Sequence, residues 1–278
     1  MTFILSQRAL VLSTYWPKDD SLMSKLPKEN QFFDLSDYGR PIAKIIASFL
    51  KTTSLTPIHV TLGFIVSGLL AIICILYHQY WAAAFFLVLK SILDAADGEL
   101  ARIKNNPSYT GRYLDSVSDI LLNLFILLTI WYVTNASLLY AFLAFIGIQL
   151  QGTLYNYYYV ILRNKHNGDT TSRIFENKAP KAMDNEMQHT VNILFGLYFL
   201  LYGAFDKTIH WMDSKAIESK NLPNWFMTTV SMFGLGFQLL IISVLLVIGF
   251  QNFIIPFFIG YSLLIPVFIG VRRFINRY

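Results

Sequence analysis

Apolar residues along this chain are gathered into long runs that few charges interrupt. Four of them, from about Ile58 to Leu76, Trp81 to Ala101, Tyr113 to Val133 and Leu138 to Ile161, approach the ~20 residues that carry a helix across a hydrocarbon core. The polar breaks YHQYW (77–81) and NAS (135–137) predict tight returns, and Thr56-Pro57 opens the first run as a cap followed by proline. After the fourth run comes the longest polar loop, Arg163–Met187. A shorter apolar run, Thr190–Phe205, and a mixed-charge loop, Asp206–Asn224, lead to two more runs, Phe226–Phe250 and Phe253–Val271. Ahead of them all, Ile42, Ile45, Ile46, Phe49 and Leu50 recur at helical spacing beside Arg40 and Lys44, with Pro41 suited to a first turn. Residues 34–50 therefore predict an amphipathic helix lying in the membrane interface. The expected fold is an all-α integral membrane protein: a helical bundle of six core transmembrane helices, drawn from seven apolar segments and preceded by the interfacial helix.

Composition agrees, with 55% hydrophobic and 14% charged residues, 23 Phe and 16 Tyr. The formal charge of +5 comes without a dense basic cluster, which suits membrane lipid headgroups and argues against a nucleic-acid partner. The single Cys74 excludes an internal disulfide framework. Met1–Leu12 is short and runs into WPKDD without a small-residue cleavage site, so no cleavable leader is expected. Basic residues concentrate in the amphipathic helix, the 102–112 turn and the loop holding Arg163, Lys165, Arg173, Lys178 and Lys181, whereas the 77–81 and 134–137 breaks have none. The positive-inside rule puts those three segments on the cytoplasmic side of an inner or plasma membrane. Seven crossings would leave Arg272, Arg273 and Arg277 outside; either one segment is re-entrant or the rule fails at that end.

One polar stretch, SILDAADGELARIKNNPSYTGRYLDSVSDILLN over Ser91–Asn123, stands out. A helix begun at Tyr80 has risen roughly 21 Å by Asp94, against a core roughly 30 Å thick. The first carboxylates thus lie in the apolar slab or at its edge, which is costly unless they are paired, metal-bound or facing water. Asp94 and Asp97 share a face of the second helix with Gly98 and Ala101, and Asp115 and Asp119 stand one above the other on the third. The turn Lys104–Thr110 makes these helices antiparallel neighbours whose faces can meet. Four carboxylates there form an oxygen cage for Mg²⁺ or Mn²⁺. Gly98, Ala101 and Gly111 leave surface bare for a flat group or for close helix packing. Arg102 can pair with a carboxylate, grip a phosphate or act as a positive-inside anchor.

The spacing Asp94-x2-Asp97-Gly98-x2-Ala101-Arg102-x8-Gly111-x3-Asp115-x3-Asp119 resembles the complete signature of the CDP-alcohol phosphatidyltransferase family. The resemblance covers roughly Pro57–Ile161, and the interfacial helix also fits. It implies a homodimer of six-span subunits, with a transmembrane catalytic domain over 51–278, the motif at 94–119 and an N-terminal lead over 1–50. It also implies two bound cations held by Asp94, Asp97 and Asp115, with Asp119 as general base and a further possible metal contact. Reaction chemistry would then centre on Asp115 and Asp119, and Gly98, Ala101, Arg102 and Gly111 would receive the CDP moiety. Pro57 and Thr61 match the family's first span, but Ile58 replaces its asparagine, and Ile120 replaces the arginine often found after the last aspartate. The implied reaction moves a substituted phosphate from a CDP-linked donor, expected to be CDP-diacylglycerol, to an alcohol acceptor such as inositol phosphate, glycerol phosphate or serine. The alternative is a CDP-choline or CDP-ethanolamine donor with diacylglycerol as acceptor.

Other polar residues are less specific. Lys90, four before Asp94, is expected to neutralise that carboxylate or to touch an anionic substrate. Asn123 can orient Asp119. Gln149, Gln151 and Tyr155-Asn156-Tyr157 suit either an acceptor cavity or interhelical hydrogen bonds. His59 is expected at the interface, and Glu186 with His189 is a weak metal pair. An ion-coupled transporter also uses intramembrane carboxylates, but the inverted halves it would predict are not visible.

Overall fold

The computed structural model describes Leu26, residues 30–166, Glu176, residues 178–184 and residues 186–277. Arg173 and, apart from Leu26, the lead through residue 29 lie outside the described residues. A single 3-10 turn, Leu35–Asp37, is capped by Asp34, whose carboxylate accepts from the Ser36 amide at 3.0 Å. It leads into α1, Arg40–Leu50, with proline in its first turn. The small residues Ala43 and Ala47 are buried with Ala96 and Leu100, while Ile42, Ile45 and Phe49 point outward.

Helix α2, Pro57–Leu76, opens on a capping box in which the Thr56 amide donates to Nδ1 of His59 at 3.1 Å. Helix α3, Tyr80–Ile103, returns alongside it, tied by the Ser67 hydroxyl to the Phe86 carbonyl at 2.7 Å. Helix α4, Tyr109–Thr134, starts on Ser108, whose hydroxyl accepts from the Gly111 amide at 2.8 Å. It ends on Asn135 in the left-handed conformation (φ 51°), which asparagine tolerates and which turns the chain directly into α5, Leu138–Lys165. Gln151 of α5 is fully buried; its amide donates to the Ser262 hydroxyl at 2.9 Å and its carbonyl accepts from Gln238 at 3.0 Å. This glutamine serves interhelical bonding.

Beyond α5 come α6, Gln188–Met212, α7, Asn224–Val230, α8, Leu235–Val247, α9, Ile254–Tyr261, and α10, Leu264–Ile275. The run expected as one straight span over Phe226–Phe250 is broken: residues 224–233 and α8 meet at 53°. The Leu35–Asp37 turn packs against the break. A side chain at Gly236 would place its Cβ 2.0 Å from the Ser36 carbonyl oxygen, so only glycine fits. Among the described residues four segments are long and apolar enough to cross a membrane, namely α2, α4, α5 and Gln251–Ile275, or five if the bent pair counts as one.

Helix α6 departs most from expectation. The apolar run Thr190–Phe205 belongs to a longer helix that takes in the first part of the expected loop Asp206–Asn224. Glu186, just before it, accepts from the Ser108 hydroxyl at 2.8 Å and the Thr110 amide at 2.6 Å, at the start of α4. Asp213, just after it, accepts from the Tyr158 hydroxyl at 2.8 Å and from Nε of Arg272 at 2.9 Å, near the ends of α5 and α10. Helices α4 and α5 are antiparallel, so the start of one and the end of the other mark the same end of the bundle. Both ends of α6 therefore lie there. The helix runs across the bundle's end and not along its length.

Candidate active site

The faces of α3 and α4 meet where the aspartate spacing places them. Single carboxylate oxygens of Asp94, Asp97 and Asp115 all lie within 4.8 Å of one another, on half-buried side chains. Thr61, in the second turn of α2, donates from its hydroxyl to Oδ2 of Asp97 at 2.7 Å and so fixes that carboxylate from a third helix. Oδ1 of Asp115 is buried and, among the described residues, has no hydrogen-bond partner. Nor does any described Lys or Arg form an ion pair with the three. Leaving a buried acceptor bare costs about 1–3 kcal/mol. Hard carboxylate oxygens converging without a cationic side chain are a donor set that could hold a metal ion of the Mg²⁺ or Mn²⁺ type.

Asp119 stands outside this trio. Its Oδ1 accepts from Nζ of Lys90 at 2.5 Å, with the lysine fully buried and its ammonium 4.8 Å from the Phe64 ring centre. Helical spacing within α3 pointed Lys90 toward Asp94; its ammonium pairs directly with Asp119 on α4 while still acting on the Asp94 charge. Asn123 is buried one turn beyond Asp119. Arg102 pairs with Glu99 at 2.9 Å, and Nε of Arg40 lies 3.8 Å from the same carboxylate oxygen. A Cβ at Gly98 would sit 3.7 Å from both terminal nitrogens of Arg102, so the guanidinium lies over the bare face of that glycine. Nε of Arg102 is buried and has no hydrogen-bond partner among the described residues. Ala101 is half-buried on the same helix. A Cβ at Gly111 would come 3.3 Å from the Ser108 hydroxyl, which ties this glycine's smallness to the cap of α4.

Three partners escaped the sequence reading. Glu186, weighed with His189 as a metal pair, instead caps α4, and His189 is exposed. Burial pushes the Glu186 carboxyl up, but the Thr110 amide, the Ser108 hydroxyl and the Met183 amide outweigh it and hold it below its ordinary value. Glu176 closes on Arg112 and accepts from the Tyr113 hydroxyl at 2.6 Å, so the loop after α5 is fastened to the first turns of α4 at two points. Thr61 is the third. The family resemblance singled out this threonine but not its pairing with an aspartate 36 positions away.

Fold and site together define an all-α integral membrane protein with a carboxylate trio between two antiparallel helices that could hold a metal ion. Residues 54–215, more than half of the chain, match the CDP-alcohol phosphatidyltransferase family, and the chain belongs to it. Over 64 residues it is 42% identical to the CDP-diacylglycerol–serine O-phosphatidyltransferase of Bacillus subtilis (strain 168). That stretch is 23% of this chain and 36% of the relative, so the chain matches about a third of that protein's length.

Proposed function

We propose that this protein transfers a phosphatidyl group from CDP-diacylglycerol to the hydroxyl of a small polar alcohol, releasing CMP. The carrying observation is the Asp94, Asp97 and Asp115 trio, without an ion pair to any described Lys or Arg, beside an Asp119 that pairs with Lys90. In this reading the trio binds one or two divalent cations, Mg²⁺ or Mn²⁺. Bound there, they neutralise the diphosphate oxygens and orient the donor. Lys90 occupies Oδ1 of Asp119 and leaves Oδ2 for the proton of the alcohol. The alcohol oxygen forms its bond to the phosphorus that bears diacylglycerol, the bond from that phosphorus to CMP breaks, and the proton passes to Asp119. Arg102, lying over Gly98, supplies its buried Nε to the nucleotide diphosphate, with Ala101 and Gly111 bordering the CDP moiety.

The name of the Bacillus subtilis relative makes serine the first acceptor to test. The basic loop, the 102–112 turn and α1 support a cytoplasmic active site in an inner or plasma membrane. The outward stripe of Ile42, Ile45 and Phe49 supports an interfacial α1. A homodimer is proposed from family resemblance alone. The deciding experiment incubates purified protein with CDP-diacylglycerol and scores CMP release against serine, glycerol phosphate and inositol phosphate. CDP-ethanolamine with diacylglycerol runs in parallel. CMP release from the second pair alone would reverse the donor assignment, and release from neither would overturn the proposed reaction.

A further inference from the structure

We propose that α6 is a surface-lying helix: it stays in the membrane plane at the headgroup boundary, with both ends on the side of the aspartate site. As a helix of 25 residues it is about 37 Å long, long enough to cross a bilayer, and an uncharged apolar run fills much of it. Its contacts contradict a crossing. It starts beside the first turn of α4, passes Ser116, whose carbonyl accepts from the Tyr202 hydroxyl at 3.1 Å, and ends at Tyr158 of α5 and Arg272 of α10. All of these partners lie toward one end of the bundle.

The side chains divide as such a placement requires. Val191, Phe195, Tyr198, Tyr202 and Ile209 form the inner face, with Val191 and Ile209 fully buried and Phe195 and Tyr198 packed on Tyr113. An outward stripe of Ile193, Leu197, Leu200 (75% exposed) and Trp211 (82%) is apolar. Beside that stripe His189, Asn192, Gly196, Gly203 and Lys207 follow at helical spacing, and the one bulky apolar residue among them, Phe199, lies over Gly203 with the Lys207 ammonium 5.3 Å from its ring centre. A crossing helix offers lipid on every outward side. An outward surface that is apolar along one stripe and mostly polar or bare along the next is the pattern of a helix half-sunk at an interface.

Two consequences follow. Taking α6 out of the count leaves six crossings: α2, α3, α4, α5, the bent α7–α8 pair, and α9 with α10. The C-terminal arginines then share a side with α1 and the 102–112 turn, and the positive-inside rule holds at both ends. Asp115 also lies beside Ser116, where α6 touches α4, so the cation centre sits at headgroup depth. A water-soluble reactant and a lipid reactant can meet there without either crossing the apolar core.

The test is side-specific labelling of single cysteines in a Cys74→Ala background with a membrane-impermeant maleimide. Asp184→Cys and Lys215→Cys, at exposed sites flanking α6, should both react from the side on which Asn106→Cys reacts, and Asn135→Cys only from the other. Lys220→Cys, also exposed, replaces Lys215→Cys if the latter fails to fold. Labelling of positions 184 and 215 (or 220) from opposite sides would overturn the proposal. Within the helix, Asn192→Cys should react in intact membranes and Leu200→Cys only after detergent; equal behaviour of the two would also overturn it. None of these outcomes depends on the chemistry of the site.

Discussion

Two sets of acids toward the same end of this bundle are handled in opposite ways. Asp213, fully buried at the end of α6, is surrounded by donors: the Arg272 guanidinium, the Tyr158 hydroxyl and, at 3.4 Å, Nε of Arg273. Asp94, Asp97 and Asp115 have one threonine hydroxyl on Asp97, and Oδ1 of Asp115 stands bare among the described residues. A carboxylate satisfied by its own chain holds the structure together. Carboxylates gathered without an ion-pairing side chain are relieved by protonation or by a cation supplied from outside, and that opening separates a site from a strut.

The largest expected effect lies on the unsatisfied side. Asp97→Asn should abolish CMP release and Mn²⁺ binding together, as chelation should in the unaltered protein, measured by turnover and calorimetric titration. Turnover in excess chelator would erase the contrast. Asp119→Asn should keep Mn²⁺ affinity while turnover falls by roughly two to four orders of magnitude. If it loses the cation as fully as Asp97→Asn, then Asp119 belongs with the trio and not with Lys90. On the satisfied side, Asp213→Asn leaves Arg272 without its counter-charge and should cost about 3–5 kcal/mol of stability. Thermal unfolding in detergent would show the loss, with Mn²⁺ affinity of the folded fraction unchanged; altered affinity would mean the two acid groups are coupled.

The smallest effect concerns Glu186. Its folded carboxyl is held below the ordinary range, so its contribution is fully present above the unfolded value and fades as pH falls through the folded one. Glu186→Gln should therefore lower the unfolding midpoint modestly at neutral pH and not at all in strong acid. A difference that grew toward acid would reverse the sign and discard the cap as its source.

Much of this arrangement was readable beforehand, and the failures share a cause. The hairpins of α2 with α3 and α4 with α5 lie within a few residues of the expected boundaries, because apolar length and cap chemistry are local properties. The meeting of Asp94, Asp97 and Asp115 followed from spacing on two helices joined by a short turn. Lys90 was harder. Its own helix offered Asp94 four positions on, and only the packing of α3 on α4 made Asp119 the nearer partner. The run within α6 was counted among the seven apolar segments, and apolarity reports affinity for lipid and not direction. Its direction is set by Ser116, Tyr158 and Arg272, all remote in sequence.

The cap on α4 bears on how a nucleotide could be retained. The first amides of a helix are a ready seat for phosphate, and α4 begins beside Gly111 of the motif. Here Glu186 already sits on the amides of Tyr109 and Thr110, at 3.2 and 2.6 Å. The protein's own anion has taken the berth a diphosphate would seek, which under the proposed function leaves the cations and Arg102 as its anchors. Stripped of metal, the protein should release a CDP-linked donor and not merely stall with it bound.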